Sequence, residues 1–197
     1  MSSLLALATV LALSAITPGP NNLVVLRSAA RNDFAGALPA IAGVVLGSVA
    51  LLAVVVVGGG GVIAARPALG RAIGLLGALY LAALGLRMVA TTHVAARADD
   101  VEPKLPAGAI ALFAFQFLNP KAWAMVLTLV AAGSMASAAD TFVRLAPLFA
   151  CIPAACLLLW AALGRALAPH LTQRAIRIWI DRLLGALLTL SACLLLI

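Results

Sequence analysis

Charge is what this sequence has least of. Asp, Glu, Lys and Arg together make up 10 % of the chain, and Asp and Glu number only 6. Soluble domains carry about 25 % charged residues. With 65 % hydrophobic residues, this chain cannot cover a water-facing surface, and a bilayer is the solvent that fits. Histidine is nearly absent, at 2 residues, and no acidic residue falls in the middle of an apolar run. Metal clusters and carboxylate pairs for acid–base catalysis are therefore not expected, and neither is a cofactor. The 3 cysteines, Cys151, Cys156 and Cys193, have no metal-ligand spacing. Cys151 and Cys156 would sit roughly 140° apart on a helix, so they read as small core or lipid-facing residues. Aromatics make up 5 % of the chain. The net charge of +7 thus comes without the aromatic–basic patch of a nucleic-acid binder. The basic residues flank apolar runs, as juxtamembrane loops do. The N-terminus also lacks a Lys/Arg region. Leu4 to Ile16 has the look of a signal-peptide core, with Ala12-Leu13-Ser14 before Ala15, but the apolar run resumes at Leu23. An uncleaved first span is expected.

What is there is a series of apolar segments near the ~20 residues that a transmembrane helix needs. Six are expected, at 4–26, 38–61, 68–90, 106–131, 142–163 and 176–197. Gly58 to Gly61, before Arg66-Pro67, marks a turn. The one plainly polar stretch is 93–106, with Arg97, Asp99, Asp100, Glu102 and Lys104. It divides a single membrane domain (1–197) into two three-helix halves, 1–92 and 107–197. Loops on one side carry Arg27, Arg31, Arg87, Arg97, Lys104, Arg165, Arg174, Arg177 and Arg182. The other side has Arg66, Arg71 and Arg144. The richer side is expected in the cytoplasm, which puts both termini and the second loop set outside.

The halves resemble each other. Leu75-Leu76-Gly77-Ala78-Leu79 recurs as Leu183-Leu184-Gly185-Ala186-Leu187, and Phe34 with Pro39 matches Phe142 with Pro147 at the same offset. Three spans per half force the second half to enter from the opposite face. The fold class expected is all-α integral membrane, six transmembrane helices as a 3+3 inverted repeat with broken first and fourth helices. Such repeats place a substrate site near the midplane. Gly43 and Gly47, four apart, suit close helix packing.

The chemistry sits in two motifs. Span one contains Thr17-Pro18-Gly19-Pro20-Asn21-Asn22, which cannot form an unbroken helix. Span four contains Gln116-Phe117-Leu118-Asn119-Pro120-Lys121, where Asn then Pro reads as N-cap and first helical residue. A half-helix is expected to start at Pro120, and another at Pro18 or Pro20, capped by Thr17 or Gly19. Backbone freed at membrane depth is tolerated only against protein or a cavity. The two starts would face each other with open N–H groups and partial positive charge, a site for a carboxylate. Asn21, Asn22, Gln116 and Asn119 add hydrogen bonds and Lys121 a full charge. Asp33 and Asp181, beside Arg31 and Arg182, are candidate gate or coupling residues. Asp140 near a span end is expected to be solvated. His93 and His170 are placed in loops with no role; Trp123 is given none, and Trp160 and Trp179 suit interfacial belts.

Through Thr17-Pro18-Gly19-Pro20-Asn21 and Asn119-Pro120-Lys121, with Leu-Gly-Ala-Leu near Gly77 and Leu84-Gly85-Leu86 as weaker carriers, the chain resembles the LysE/RhtB family of amino-acid exporters. The resemblance covers essentially the whole length. It implies six spans, a bacterial inner membrane, efflux of amino acids or derivatives, and proton-coupled antiport. It carries family motif positions onto Pro18, Gly19, Pro20, Asn21, Asn119, Pro120 and Lys121.

The function expected is a secondary transporter, not an enzyme, that exports amino acids or their derivatives by alternating access around a midplane carboxylate site. A small-solute channel, or an exporter of another solute such as metal ions, is the alternative. A thiol–disulfide carrier and a membrane enzyme fit less well, because neither a close cysteine pair nor a nucleophile–base cluster is visible. Expected partners are an amino acid or related small solute and membrane lipid, with a homo-oligomer left open and nucleic acid excluded. Which amino acid and which coupling ion are involved stays open, as does whether Asp33 or Asp181 gates.

Overall fold

The computed structural model describes residues 2–59, 65–94, 108–133, 136–171 and 173–194. Its described residues are almost entirely helical. They form α1 (Ser2–Ile16), α2 (Pro20–Val54) running into a π-helical turn (Val55–Gly59), α3 (Pro67–Val94), α4 (Ala109–Gln116), α5 (Pro120–Gly133), α6 (Ala138–Leu171) and α7 (Arg174–Leu194). The expected linker lies outside the described residues from position 95 on, as do Gly60 and Gly61.

Six apolar spans were expected, and the described residues show fewer helices that are long and apolar enough by themselves. Two continuous stretches, Pro20–Gly58 and Ala138–His170, are long and apolar enough to cross a membrane. A third arises if α4 and α5, bent by 58° at their break, count as one. Among the described residues, the other segments fall short for local reasons. The first is cut at Thr17–Gly19, leaving α1 with 15 residues. In α7, Arg174, Arg177, Asp181 and Arg182 occupy the first half. The stretch Pro20–Gly58, at 39 residues, would be roughly 58 Å long if straight, about twice the ~30 Å hydrocarbon core. It is not straight. Asn32 (φ −119°, ψ 24°) and Asp33 (φ 60°, ψ 176°) leave helical geometry, and Asp is among the few residues that tolerate positive φ. The Ser28 hydroxyl donates to the Gly36 carbonyl at 3.0 Å, whereas residues eight apart on a straight helix are ~12 Å apart along its axis. The chain therefore doubles back at Asp33. Val25 and Ala29 before the turn share one core cluster with Ala37 and Ile41 after it.

α2 packs against α6 and α4, α3 against α7, and α1 against α6 and α5. Small residues permit these approaches, as in other membrane bundles. A Cβ at Gly43 would fall on the Ala109 carbonyl, one at Gly47 on Gln116 and Phe113, and one at Gly164 on the Leu26 carbonyl. Gly85 and Gly185 face each other's carbonyls across α3 and α7. The repeated pentapeptide does not mark equivalent packing, however. Ala78 is buried and Leu76 exposed in α3, while Leu184 is buried and Ala186 exposed in α7. In a chain so rich in Leu, Gly and Ala, that identity says little about which face is turned inward.

The outer surface is apolar. Ile110 is 86 % exposed, Val57 82 % and Leu118 76 %, which suits lipid rather than water. Of the cysteines, Cys156 is buried and Cys151 and Cys193 are exposed. Asp140 has a local task that was not expected. Its amide donates to Ser137 Oγ at 3.1 Å, and its Oδ2 accepts from the Ser137 hydroxyl at 2.6 Å, a capping arrangement that starts α6. His93 and His170 lie in the last turns of α3 and α6, not in loops.

Gly164→Ala is expected to lower the thermal midpoint of the purified protein in detergent, at a cost of about 1–3 kcal/mol for forcing α6 off α2. Ala166→Leu, on the exposed side of the same helix, should leave the midpoint nearly unchanged. Equal midpoints for both variants would contradict this packing.

Candidate functional site

The break in the first span is built by sequence. Gly19 (φ −156°, ψ 173°) is the N-cap of α2, and Pro20 is its first residue. Of the two starts left open by the motif, Pro20 capped by Gly19 is the one adopted. Ending α1 strands its last four carbonyls, and each finds a donor. Leu13 O accepts from the Thr17 amide at 3.3 Å. Ser14 O accepts from the Thr17 hydroxyl at 2.7 Å, and Ala15 O from Asn22 Nδ2 at 3.0 Å. Ile16 O accepts from Trp160 Nε1 at 3.2 Å. Asn22 Nδ2 also reaches Thr17 O at 2.9 Å.

Trp160 was expected in an interfacial belt. Its indole nitrogen instead serves the break in span one. Trp123, given no role from sequence, does the same for the second break, donating to Phe117 O at 2.9 Å. An indole N–H is a donor that apolar surroundings force to find a partner. No sequence signal identified which carbonyl it would be.

The second break differs from the first. Asn119 caps α5 as expected, its Oδ1 accepting from the Lys121 amide at 3.1 Å, while its carbonyl accepts from Ala122 and Trp123. The expectation of two equivalent open helix starts is therefore corrected. The start of α5 is closed by its own asparagine side chain. The start of α2 has no side-chain cap, because Gly19 brings no oxygen to it, and the amides of Asn21 and Asn22 lie beyond intrahelical acceptors.

The two breaks meet. Lys121 Nζ donates to Thr17 O and Thr17 Oγ1, both at 2.8 Å, and lies 3.4 Å from where a Cβ on Gly19 would be. A cation at the carbonyl end of α1 is favoured by the helix dipole. Asn21 and Gln116 exchange two hydrogen bonds of 3.1 Å, and Gln116 also donates to Leu112 O at 3.2 Å. This side-chain pair ties the two broken spans together beside the lysine.

Gly19, Pro20, Asn21, Asn22, Gln116, Asn119 and Lys121 line one cavity. It leaves about 50 Å3 open to the centres of water-sized molecules, several times the ~10–15 Å3 that one water needs. Pro18 and Pro120 shape the breaks without lining it. Sequence reasoning missed Ser14, Val44, Ser48, Met125, Pro153 and Leu157, whose residue types carry no signal of their own. Asp33, Arg31, Asp181 and Arg182 do not line the cavity. The structure pairs Asp33 with Arg165 at 2.9 Å and Asp181 with Arg27 at 2.7 Å. In these two contacts the arginine comes from another helix than the aspartate.

A helical membrane bundle with a polar cavity at paired helix breaks is the architecture of a solute transporter. The chain belongs to the LysE type translocator family, whose sequence pattern matches residues 12–197. Members of that family are transporters rather than enzymes. The chain is 30 % identical over 109 residues to cysteine/O-acetylserine efflux proteins of Salmonella paratyphi A and Salmonella typhi, and 29 % to that of Salmonella choleraesuis. Each match covers 55 % of this chain and 54 % of the relative, so the chain spans about half the length of the curated relatives it matches. No solved structure matches it.

Asn119→Ala is expected to destabilise the purified protein by about 1 kcal/mol through loss of the α5 cap, with Asn119→Ser recovering most of it. Thermal unfolding in detergent reads both. A serine variant no better than the alanine one would contradict the capping role.

Proposed function

We propose that the chain exports amino acids or their derivatives from the cytoplasm by alternating access, with the substrate carboxylate held between the open start of α2 and Lys121. The observation that carries the reading is that an uncapped helix start and a lysine from a second broken helix border one cavity. The helix start, which no side chain caps, supplies backbone amides and partial positive charge, and Lys121 supplies a full one. An arriving carboxylate would draw Lys121 Nζ from Thr17. The Salmonella relatives named as cysteine/O-acetylserine efflux proteins favour an amino-acid substrate.

The path is six crossings in a 3+3 inverted repeat. What supports this is the turn at Asp33, which splits α2 into the end of one crossing and the whole of the next, and the matching of Gly19-Pro20 with Asn119-Pro120 at the two breaks. The membrane is the bacterial inner membrane, with both termini outside, on the distribution of Lys and Arg. Lys121 is the ionisable side chain among the described residues that line the cavity, so proton coupling would run through it. Arg27–Asp181 and Arg165–Asp33 join α2 to α7 and α6, and they serve as a latch on the side of the Asp33 turn.

Counterflow of labelled amino acids in proteoliposomes tests the reading. Lys121→Met should abolish exchange, and Lys121→Arg, which stays charged, should remove its pH dependence. Asp181→Asn should slow or speed exchange several-fold without abolishing it. Full exchange by Lys121→Met would sink the carboxylate site. Unchanged pH dependence in Lys121→Arg would sink the coupling role, and unchanged rates in Asp181→Asn the latch.

A further inference from the structure

The cavity wall divides by element. Its charge and amides come from the two breaks. Ser14 and Ala15 of α1 and Ala122 of α5 adjoin them, and the remaining wall is Val44 and Ser48 from the limb of α2 beyond the Asp33 turn, Met125 of α5, and Pro153 and Leu157 of α6. Val44 and Leu157 belong to a buried apolar cluster, so this part of the wall is backed by hydrocarbon. Ser48 is the polar member, and its hydroxyl donates to Val44 O at 2.8 Å. Its hydrogen is spent within its own helix, which leaves a ligand only a weak acceptor. No carboxylate lines the cavity among the described residues.

We infer that this second wall is the side-chain chamber of the site, and that it admits small uncharged side chains and rejects cationic ones. The inference rests on the amino-acid exporter reading above. A neutral amino acid brings one ammonium and one carboxylate, which balance each other. A second ammonium or a guanidinium on the side chain would enter a wall with no counter-charge and share the cavity with Lys121. An unpaired charge taken out of water is costly, and a like charge nearby adds to the cost. The open space is enough for a side chain of a few heavy atoms. Met125, unbranched and only partly buried, is the residue that sets its size and polarity, since thioether chains yield more readily than branched ones. The chamber is thus a device for specificity that lies outside the two break motifs.

Counterflow in proteoliposomes with labelled alanine, serine, cysteine, phenylalanine, lysine and arginine tests this. The parent protein should exchange the small neutral amino acids on the order of 100-fold faster than lysine or arginine. Met125→Ala should extend exchange to phenylalanine. Met125→Glu, close to methionine in length, supplies the missing counter-charge and should raise lysine exchange about tenfold over Met125→Gln. Lysine exchanged by the parent as fast as alanine would overturn the inference while leaving the exporter reading intact. Equal lysine rates in Met125→Glu and Met125→Gln would also overturn it. Absence of exchange for every amino acid, with the protein monodisperse, would overturn the exporter reading and this inference with it.

Discussion

A backbone carbonyl cannot be left bare inside a bilayer, and the site depends on that constraint. Ending α1 at Ile16 strands four carbonyls where water is scarce. They are covered by the Thr17 amide and hydroxyl, by Asn22 and by Trp160. Those donors come from the break itself, from the next half-helix and from α6. The break is therefore held from three directions, which makes it a rigid platform rather than a hinge of convenience. The second break is held by Asn119 and Trp123. With both breaks fixed, Lys121 bridges them, and the polar cavity is what remains between them.

The asymmetry of the two breaks is the part with functional weight. Each begins a half-helix at a proline, Pro20 and Pro120. At one the cap is glycine, and at the other it is asparagine. One atom group makes the difference: Asn119 Oδ1 accepts from the Lys121 amide, whereas Gly19 brings no side-chain oxygen to the start of α2. Glycine at that place also lets Lys121 Nζ come close, since a Cβ there would sit 3.4 Å from it. Anion affinity is thus concentrated at one half-helix start, with the lysine delivered from the other.

The breaks themselves were legible in the sequence because their causes are local. Proline has no N–H and asparagine caps a helix, wherever the rest of the chain goes. The seven cavity-lining positions named from the two motifs came from that logic. What was not legible depends on partners distant in the chain. Nothing near Trp160 shows that its indole will meet Ile16. Nothing near Asp33 or Asp181 singles out Arg165 or Arg27 over the adjacent arginines. The turn at Asn32-Asp33 falls within the loop expected between the segments at 4–26 and 38–61, although the helices run closer to it on both sides than those bounds. The identical Leu-Leu-Gly-Ala-Leu segments are buried differently in α3 and α7, which sequence identity alone does not reveal. Val44, Met125 and Leu157 look like any other core residue until the cavity is seen.

The claim on which the account turns is that the paired breaks recognise a carboxylate. Thermal stabilisation of the purified protein by an amino acid that it exchanges, set against the carboxamide of the same amino acid, tests that claim most directly. The account predicts stabilisation by the amino acid and little or none by the amide, which keeps the shape and the ammonium and loses the negative charge. Equal stabilisation by both would contradict it.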